Sequence, residues 1–185
     1  MLRTVPFYYL RHGQTDWNLE RRFQGQIDIP LNAYGLLQAE NAAHLLRNEP
    51  IAAICSSPLQ RALRTAEVVG ERLGLPVTIL DGLKEVGFGA WEGAVMDHSA
   101  YAQWRSGAVV PENAESVDRF YDRVRAAMAE ALNRPGPVLV VAHGGVYWGV
   151  ERCASFVTAG SIANAAPILH SPSGDGTWTR RTLVA

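Results

Sequence analysis

The stretch Val138–Ala142 reads VLVVA, and the sequence HGG follows it directly at residues 143–145. Five apolar residues in succession, three of them valine, predict a strand that is covered on both faces, as the strands of a parallel sheet are. Other apolar runs predict further strands, the last two more weakly: residues 5–10, 51–55, 77–80, 165–169 and 178–184. Predicted strands are therefore distributed along the whole chain.

Helical patterns occupy the segments between these strands. Apolar residues recur at helical spacing in residues 35–46, 57–73 and 116–132, and residues 144–156 continue directly from the 138–142 strand. The helix at 57–73 has the clearest start, because Ser57 suits an N-cap, Pro58 the first helical position and Gln60 a capping box. Gly74 and Pro76 mark its end.

Strands that alternate with helices predict an α/β fold with a mostly parallel sheet and helices on both of its faces. A chain of 185 residues fits one domain. In such sheets, ligands bind beyond the carboxyl ends of the strands. The polar residues that follow the four stronger strands should therefore converge: Arg11 and His12 after the first, Arg61 after the second, Glu85 after the third and His143 after the fourth.

These residue types suit phosphoryl transfer. Arg11 and Arg61 offer planar forks of donors that match phosphate oxygens, and Arg61 lies near a predicted helix N-terminus that also favours an anion. A neutral His12 can attack phosphorus, while His143 can stabilise the charge that develops on the phosphoryl oxygens. Glu85 can pass a proton to the leaving oxygen. Gly13 and Gly144 let the backbone approach a ligand closely.

Composition excludes some other classes of function. Lys and Arg total 17 and Asp and Glu total 18, so the formal net charge is −1 and no global positive field attracts nucleic acid. No run of about 18 apolar residues predicts a membrane span. The N-terminal apolar run is too short for a signal peptide, and two cysteines make no disulfide framework, so we expect a cytoplasmic protein.

Several motifs in order resemble those of the histidine phosphatase superfamily, the phosphoglycerate mutase-like proteins, and specifically its small branch 1 phosphatases. LRHGQTDWN at residues 10–18 resembles the family signature, and RFQGQ at 22–26 resembles its substrate loop. SSPLQRA at 56–62 resembles the segment with the second arginine, LKE at 83–85 the acid–base loop, and AHGGV at 142–146 the second histidine segment. Together these motifs cover nearly the whole chain.

The resemblance implies a three-layer α/β/α sandwich and a phosphohistidine intermediate on His12, within a single domain over residues 1–185. It implies a phosphate pocket formed by the catalytic residues Arg11, His12, Arg61 and His143, with Glu85 as the proton donor. Asn18, Gln24, Gly25 and Gly144 match substrate-binding positions, and residues 86–115 match a small cap. The family requires no metal or organic cofactor, and its members include homodimers.

The leading interpretation is a phosphomonoesterase that acts on a small phosphorylated metabolite. A phosphoglycerate mutase is the alternative, although the short cap and the bulky Tyr147 and Trp148 after the second histidine favour hydrolysis. Readings of another class are a non-catalytic phospholigand-binding module and a zinc hydrolase that uses His12, His143 and Glu85. Asp97 and Glu115 compete with Glu85 as the acid.

Overall fold

A computed structural model describes residues 3–154, 162–174 and 177–184 of the protein. The helices are α1 (Asp16–Leu19), α2 (Ala33–Leu46), α3 (Gln60–Leu73), α4 (His98–Arg105), α5 (Val117–Leu132) and α6 (Gly144–Ala154). The strands are β1 (Phe7–Arg11), β2 (Ala53–Ser56), β3 (Val77–Ile79), β4 (Val138–Ala142), β5 (Ile168–Pro172) and β6 (Trp178–Thr182). Two short 3-10 helices, Asp81–Leu83 and Gly89–Trp91, follow β3. The described helices include none long and apolar enough to cross a membrane.

The strands form one sheet in the order β3-β2-β4-β1-β5-β6. The first four strands of that order pair in parallel, whereas β5 pairs with β1 and β6 pairs with β5 in antiparallel. The predicted α/β class with a mostly parallel sheet is confirmed. The central pair β1 and β4 places the residues after both strands side by side at one edge of the sheet.

Helices cover both faces of this sheet. Successive side chains of a strand point to opposite faces, so Phe7 and Tyr9 of β1 join one buried cluster with residues of α5 and α6. Tyr8 and Leu10 of the same strand join a second cluster with residues of α2 and α3. The protein is therefore a three-layer α/β/α sandwich, as expected.

The start of α3 differs from the predicted capping box. The helix begins at Gln60 and its N-cap Leu59 makes no side-chain capping bond. Ser57 Oγ instead accepts a hydrogen bond from the Leu59 N–H and contacts His143 Nε2, while Asp28 Oδ1 accepts from the Gln60 N–H. The Asp28 carboxylate, from a distant loop, thus caps the first turn of α3, and the Ser57 hydroxyl contacts His143 instead.

Other boundaries also differ from those expected. The fifth strand begins at Ile168 rather than at residue 165, because Ala165 has a φ of 48° and donates its N–H to the Arg11 carbonyl. The sixth strand ends at Thr182 rather than at residue 184. The predicted helix at 144–156 is described as far as Ala154, and its last two residues lie outside the described part of the chain. Helix α4 was not predicted.

Candidate active site

His12 and His143 are neighbours because they follow neighbouring parallel strands. Arg11 of β1 is paired with Ala142 of β4, and the His12 N–H continues the pairing to the Ala142 carbonyl at 3.0 Å. The ring centroids of the two histidines lie 5.2 Å apart at an interplanar angle of 57°. The two imidazoles predicted from the sequence therefore share one site.

The His12 ring is held as a neutral tautomer. Its Nδ1 lies 2.7 Å from the Gly13 carbonyl oxygen, which can only accept, so Nδ1 carries the proton. Burial lowers the pKa of His12 well below its ordinary value, and the charges of Arg61 and Arg11 lower it further. The Nε2 atom, which makes no hydrogen bond within the described residues, is left as an unprotonated nucleophile.

His143 is fully buried against the segment that follows β2. The Ser57 N–H extends the sheet to the Val141 carbonyl, and this places Ser57 Oγ 2.8 Å from His143 Nε2. Burial, followed by the charge of Arg61, lowers the pKa of His143 well below its ordinary value. If Ser57 donates to Nε2, then Nδ1, which has no partner among the described residues, carries a proton for a ligand.

The two arginines carry buried donors that the described residues leave unused. Arg61 is completely buried and donates to the carbonyl oxygens of Ile27 and Gly25 at 2.9 and 2.7 Å. Arg11 donates to the Ile162 carbonyl at 2.9 Å. The Nε atoms of both arginines are buried without a partner in the described part of the chain. Each side chain is therefore positioned by backbone carbonyls and retains donors for an anion.

Burial affects the charge of these guanidinium groups without removing it. Desolvation lowers the pKa of Arg61 to about 10, although Glu85 and Asp28 oppose the shift. Desolvation also lowers the pKa of Arg11, which Glu85 again opposes. Arg61 remains positively charged at neutral pH, so the site presents a positive field to a phosphoryl group. The positive charges of Arg61 and Arg11 also lower the pKa values of His12 and His143, so both imidazoles stay neutral.

Glu85 is held against the N-terminus of α6. Its Oε1 accepts the Val86 N–H at 2.9 Å and its Oε2 accepts the Gly145 N–H at 3.0 Å. A Cβ atom on Gly145 would lie 2.3 Å from Glu85 Oε1, so glycine is required there for the carboxylate to approach. Gly145, rather than Gly144, is thus the residue whose missing side chain shapes this part of the site.

The segment after β1 supplies the remaining predicted residues. Asn18 Oδ1 accepts the Thr15 N–H at 3.0 Å, which leaves the amide nitrogen for a ligand. Gly25, with a φ of 54°, places its carbonyl on Arg61, and Gln24 precedes it as a buried side chain. Gly13 is required for a different reason than expected: a Cβ there would lie 2.3 Å from the Gly35 carbonyl oxygen of α2, not beside a ligand.

One small cavity of about 60 Å³ brings most of the predicted residues together. Its lining includes Arg11, His12, Asn18, Gln24, Gly25, Arg61 and Glu85. Gly144 lines an adjoining cavity together with Arg11 and Glu85. The competing acids lie elsewhere: Asp97 is exposed and caps α4, while Glu115 is paired with Arg123. No cluster of three or more His, Cys, Asp or Glu side chains that could hold a metal ion occurs within the described ranges.

Some supporting residues carry no sequence signal that we recognised. Asn164 donates to the His12 carbonyl at 2.9 Å and to Asn18 Oδ1 at 3.3 Å. Thr65 Oγ1 accepts the Gly13 N–H at 3.1 Å, one helical turn after Arg61. Thr65 lies three residues after the SSPLQRA motif at 56–62, and the resemblance of that segment did not reveal this bond. These contacts fix the loop that carries His12 from two sides.

Comparison with known protein sequences gives matches over most of the chain. A family model described as the histidine phosphatase superfamily (branch 1) matches residues 7–157. An uncharacterized phosphatase of Bacillus subtilis (strain 168), PhoE, is 38% identical over 138 residues, which cover 73% of this chain and 69% of PhoE. A protein of Salmonella choleraesuis (strain SC-B67) named "Probable phosphoglycerate mutase GpmB" is 38% identical over 151 residues, which cover 76% of this chain and 70% of GpmB.

Comparison with solved structures finds the same architecture. A mycobacterial glucosyl-3-phosphoglycerate phosphatase, solved in complex with VO3, superposes with a TM-score of 0.83 and 32% sequence identity. The superposition covers 98% of this chain and 99% of the mycobacterial chain. The likeness therefore extends over nearly the full length of both chains.

Proposed function

The chain belongs to the histidine phosphatase superfamily, branch 1, and on this premise we propose that it is a phosphomonoesterase that hydrolyses a small phosphorylated metabolite through a phosphohistidine on His12. The observation that carries the proposal is the shared cavity of His12, Arg11, Arg61 and Glu85, with His12 Nδ1 bonded to the Gly13 carbonyl and Nε2 unprotonated. The phosphatase names of PhoE and of the mycobacterial structure support the same reaction class.

In the first step, His12 Nε2 attacks phosphorus and the ester P–O bond breaks. Arg11 and Arg61 bind the non-bridging oxygens, and their unused buried donors are satisfied by those oxygens. His143 donates to an oxygen on which charge develops, which stabilises the transition state. A protonated Glu85 gives its proton to the departing alcohol oxygen. The products are phosphohistidine, the free alcohol and a Glu85 carboxylate.

In the second step, water replaces the alcohol beside Glu85. The carboxylate takes a proton from that water as the water oxygen attacks phosphorus, and the P–N bond to His12 breaks. Inorganic phosphate leaves, Glu85 is protonated again and His12 returns to its neutral form. Because the pKa of His12 is held low, the imidazole regenerated by this step stays unprotonated and ready for the next ester.

A phosphoglycerate mutase is the second candidate, and the name of GpmB is the observation that favours it. A phosphatase releases inorganic phosphate from para-nitrophenyl phosphate and from phosphoglycerate, whereas a mutase interconverts 2- and 3-phosphoglycerate without net release. We expect multiple turnovers of phosphate release, unchanged by EDTA, and no interconversion. Interconversion faster than release would establish the mutase, and stoichiometric phosphate binding without turnover would establish a binding module. Loss of activity in EDTA would indicate a zinc hydrolase.

Arg123 of α5 positions the loop that carries Glu85. Its guanidinium donates to the carbonyl oxygens of Gly82, Lys84 and Glu85, the last at 2.8 Å, and it forms an ion pair with Glu115. Glu115 also accepts the Gly87 N–H at 2.8 Å, so the pair holds the loop on both sides of Glu85. Because the guanidinium is planar and rigid, its hydrogen bonds to three carbonyl oxygens fix both the position and the orientation of the loop.

Replacement of Arg123 by Met should lower kcat/KM for alkyl phosphates by roughly tenfold to a hundredfold, because a small displacement of a catalytic group is costly. The loss of kcat/KM should be smaller for para-nitrophenyl phosphate, because kcat/KM reports only the first step and this leaving group needs little protonation there. Steady-state kinetics on both substrates measure the difference. Arg123→Lys should recover part of the loss, and Arg125→Met, which removes an exposed charge on the same helix, should have no effect. Equal losses on both substrates would contradict a positioning role.

We also propose a cytoplasmic location. Cys55 and Cys153 are both free thiols, as is usual for proteins of a reducing compartment. The proposal is independent of the chemistry above. Fractionation of cells that express the protein at its native level, followed by immunodetection, would test it.

A further inference from the structure

A second cavity of about 460 Å³ opens from the phosphate cavity. The two cavities share Arg11, Glu85, Phe88 and Met96, so a group bound in one is continuous with a group bound in the other. Glu85, the proposed proton donor to the leaving oxygen, lies at the junction. If the proposed reaction is correct, the second cavity therefore holds the alcohol part of the phosphate ester. Its volume lies within the range of small-molecule sites, about 300 to 1,000 Å³.

The walls of this cavity combine apolar side chains with ionisable ones. The aromatic and aliphatic part of the lining comes from the cap segment, from α6 and from the segment before β5, namely Phe88, Met96, Tyr101, Tyr147, Trp148 and Ile162. Burial and the charge of Glu85 raise the pKa of Tyr101, so this phenol stays neutral. The apolar side chains bind the carbon skeleton of a ligand and provide few polar contacts. The charged groups that line the cavity should therefore dominate the choice of substrate.

Arg105, in the last turn of α4, is a cation of this cavity with unused donors. Its guanidinium carbon lies 3.9 Å from the centroid of a Trp148 ring and 6.0 Å from that of Tyr101. Within the described parts of the chain, Arg105 makes no hydrogen bond and no ion pair. Stacking fixes the plane of a guanidinium but leaves its N–H groups, which point outward in that plane, free to donate.

The other ionisable side chains of the cavity do not neutralise Arg105. Glu151 also lines the cavity, but it has interactions of its own and forms no ion pair with Arg105. His98 lies at the start of α4, seven residues before Arg105 in the chain, and adds no negative charge. Arg11 and Glu85 also line the phosphate cavity, where the proposed reaction uses them.

We infer that Arg105 is a specificity-determining residue that binds an anionic group on the leaving alcohol, either a carboxylate or a second phosphate. The substrate is then a phosphomonoester with two anionic ends: the phosphoryl group on Arg11 and Arg61, and the second anion on Arg105. The carbon skeleton between them lies against Phe88 and Tyr101. This inference rests on the proposed phosphatase reaction and names the class of ester that the reaction takes.

Three esters of one length test the inference: n-pentyl phosphate, its analogue with a terminal carboxylate, and the bisphosphate of the matching pentanediol. The charged ends lie far enough from the reacting oxygen to leave its basicity nearly constant. We expect kcat/KM to be highest for one of the two charged esters, and which one it is identifies the anion. Arg105→Gln should lower kcat/KM for that ester by roughly tenfold to a hundredfold, the usual loss of a charge-assisted contact. The loss for pentyl phosphate, which has no second anion, should be far smaller.

Arg125→Gln is the matched control, because it removes one positive charge from an exposed site outside the cavity and should affect no ester. Equal hydrolysis of all three esters by the wild-type protein, or an equal effect of Arg105→Gln on all three, would overturn the inference while leaving the phosphatase reaction intact. Failure to hydrolyse pentyl phosphate and para-nitrophenyl phosphate would instead overturn the reaction itself. Circular dichroism of each variant shows whether the fold is retained.

Discussion

We expect the substitution His12→Ala to abolish phosphate release. The rate should fall by roughly four to six orders of magnitude, as it does when a catalytic nucleophile is removed. The variant retains Arg11 and Arg61 and still binds a phosphate ester, but no nitrogen remains to accept the phosphoryl group. The same variant should take up no label from a ³²P-labelled ester in a rapid acid-free quench. Wild-type protein should carry an alkali-stable, acid-labile label, which is characteristic of phosphohistidine.

A second histidine serves as the control for this experiment. His44 lies exposed on α2, so His44→Ala should release phosphate and take up label like the wild-type protein. Label that survives in the His12→Ala variant would place the nucleophile elsewhere. Turnover that survives without any label would indicate direct attack by water. Either result would end the mechanism proposed here, provided that thermal unfolding shows the variant to be folded.

Glu85→Gln should separate the two steps of the reaction according to the leaving group. For alkyl phosphates the first step needs a proton, and loss of general acid catalysis should lower kcat by roughly a hundredfold to ten-thousandfold. For para-nitrophenyl phosphate the first step needs no such help, whereas the attack of water still needs a base. A stopped-flow trace should therefore show a burst of para-nitrophenol, close to one equivalent of enzyme, followed by slow turnover.

The structure provides a control for the geometric effect of this substitution. Glutamine can still accept one of the two N–H groups that Glu85 accepts now, from Val86 and Gly145, so the loop retains part of its support. Glu112→Gln removes an exposed carboxylate from the neighbouring segment and should leave both steps unchanged. Equal slowing with both classes of ester and no burst would assign the proton transfer to another group.

The meeting of His12 and His143 could be predicted from the sequence for a clear physical reason. An unbroken apolar run identifies a strand buried on both faces, and the carboxyl ends of parallel strands lie at one edge of the sheet. Both histidines directly follow such runs, so their convergence needs no knowledge of side-chain contacts. The strand order, which makes β1 and β4 immediate neighbours, required the structure.

Residues that act through the backbone could not be predicted in the same way. Arg123 occupies a helix whose apolar stripe was evident, but an arginine that binds three loop carbonyls looks in sequence like one that faces solvent. Ser57 was expected to cap α3 because local spacing fits a capping box, yet a tertiary contact with His143 prevailed. Local patterns describe a segment, whereas these two roles depend on which distant segment packs against it.

Helix α4 was missed because it is short and few of its side chains are buried. Over His98–Arg105 only one side chain, that of Trp104, is buried in the core, so no repeating stripe marks the helix. Its other aromatic residue, Tyr101, is only partly buried: it packs against the core and also lines the cavity. A helix that faces a cavity lacks the periodic burial from which helices are predicted.

The proposed binding of the phosphoryl group in one cavity and of the alcohol in the other has a consequence for how such enzymes evolve new specificities. The groups that hold the phosphoryl end follow the strands of the sheet, whereas five residues of the adjoining wall lie in the contiguous stretch 88–105. Changes in that stretch outside Phe88 and Met96, which also line the phosphate cavity, can alter the alcohol that is accepted and leave the groups that react in place. After gene duplication, mutations in these fewer than twenty codons would be enough to change which metabolite the enzyme hydrolyses. A laboratory library limited to the same codons would sample the same substitutions.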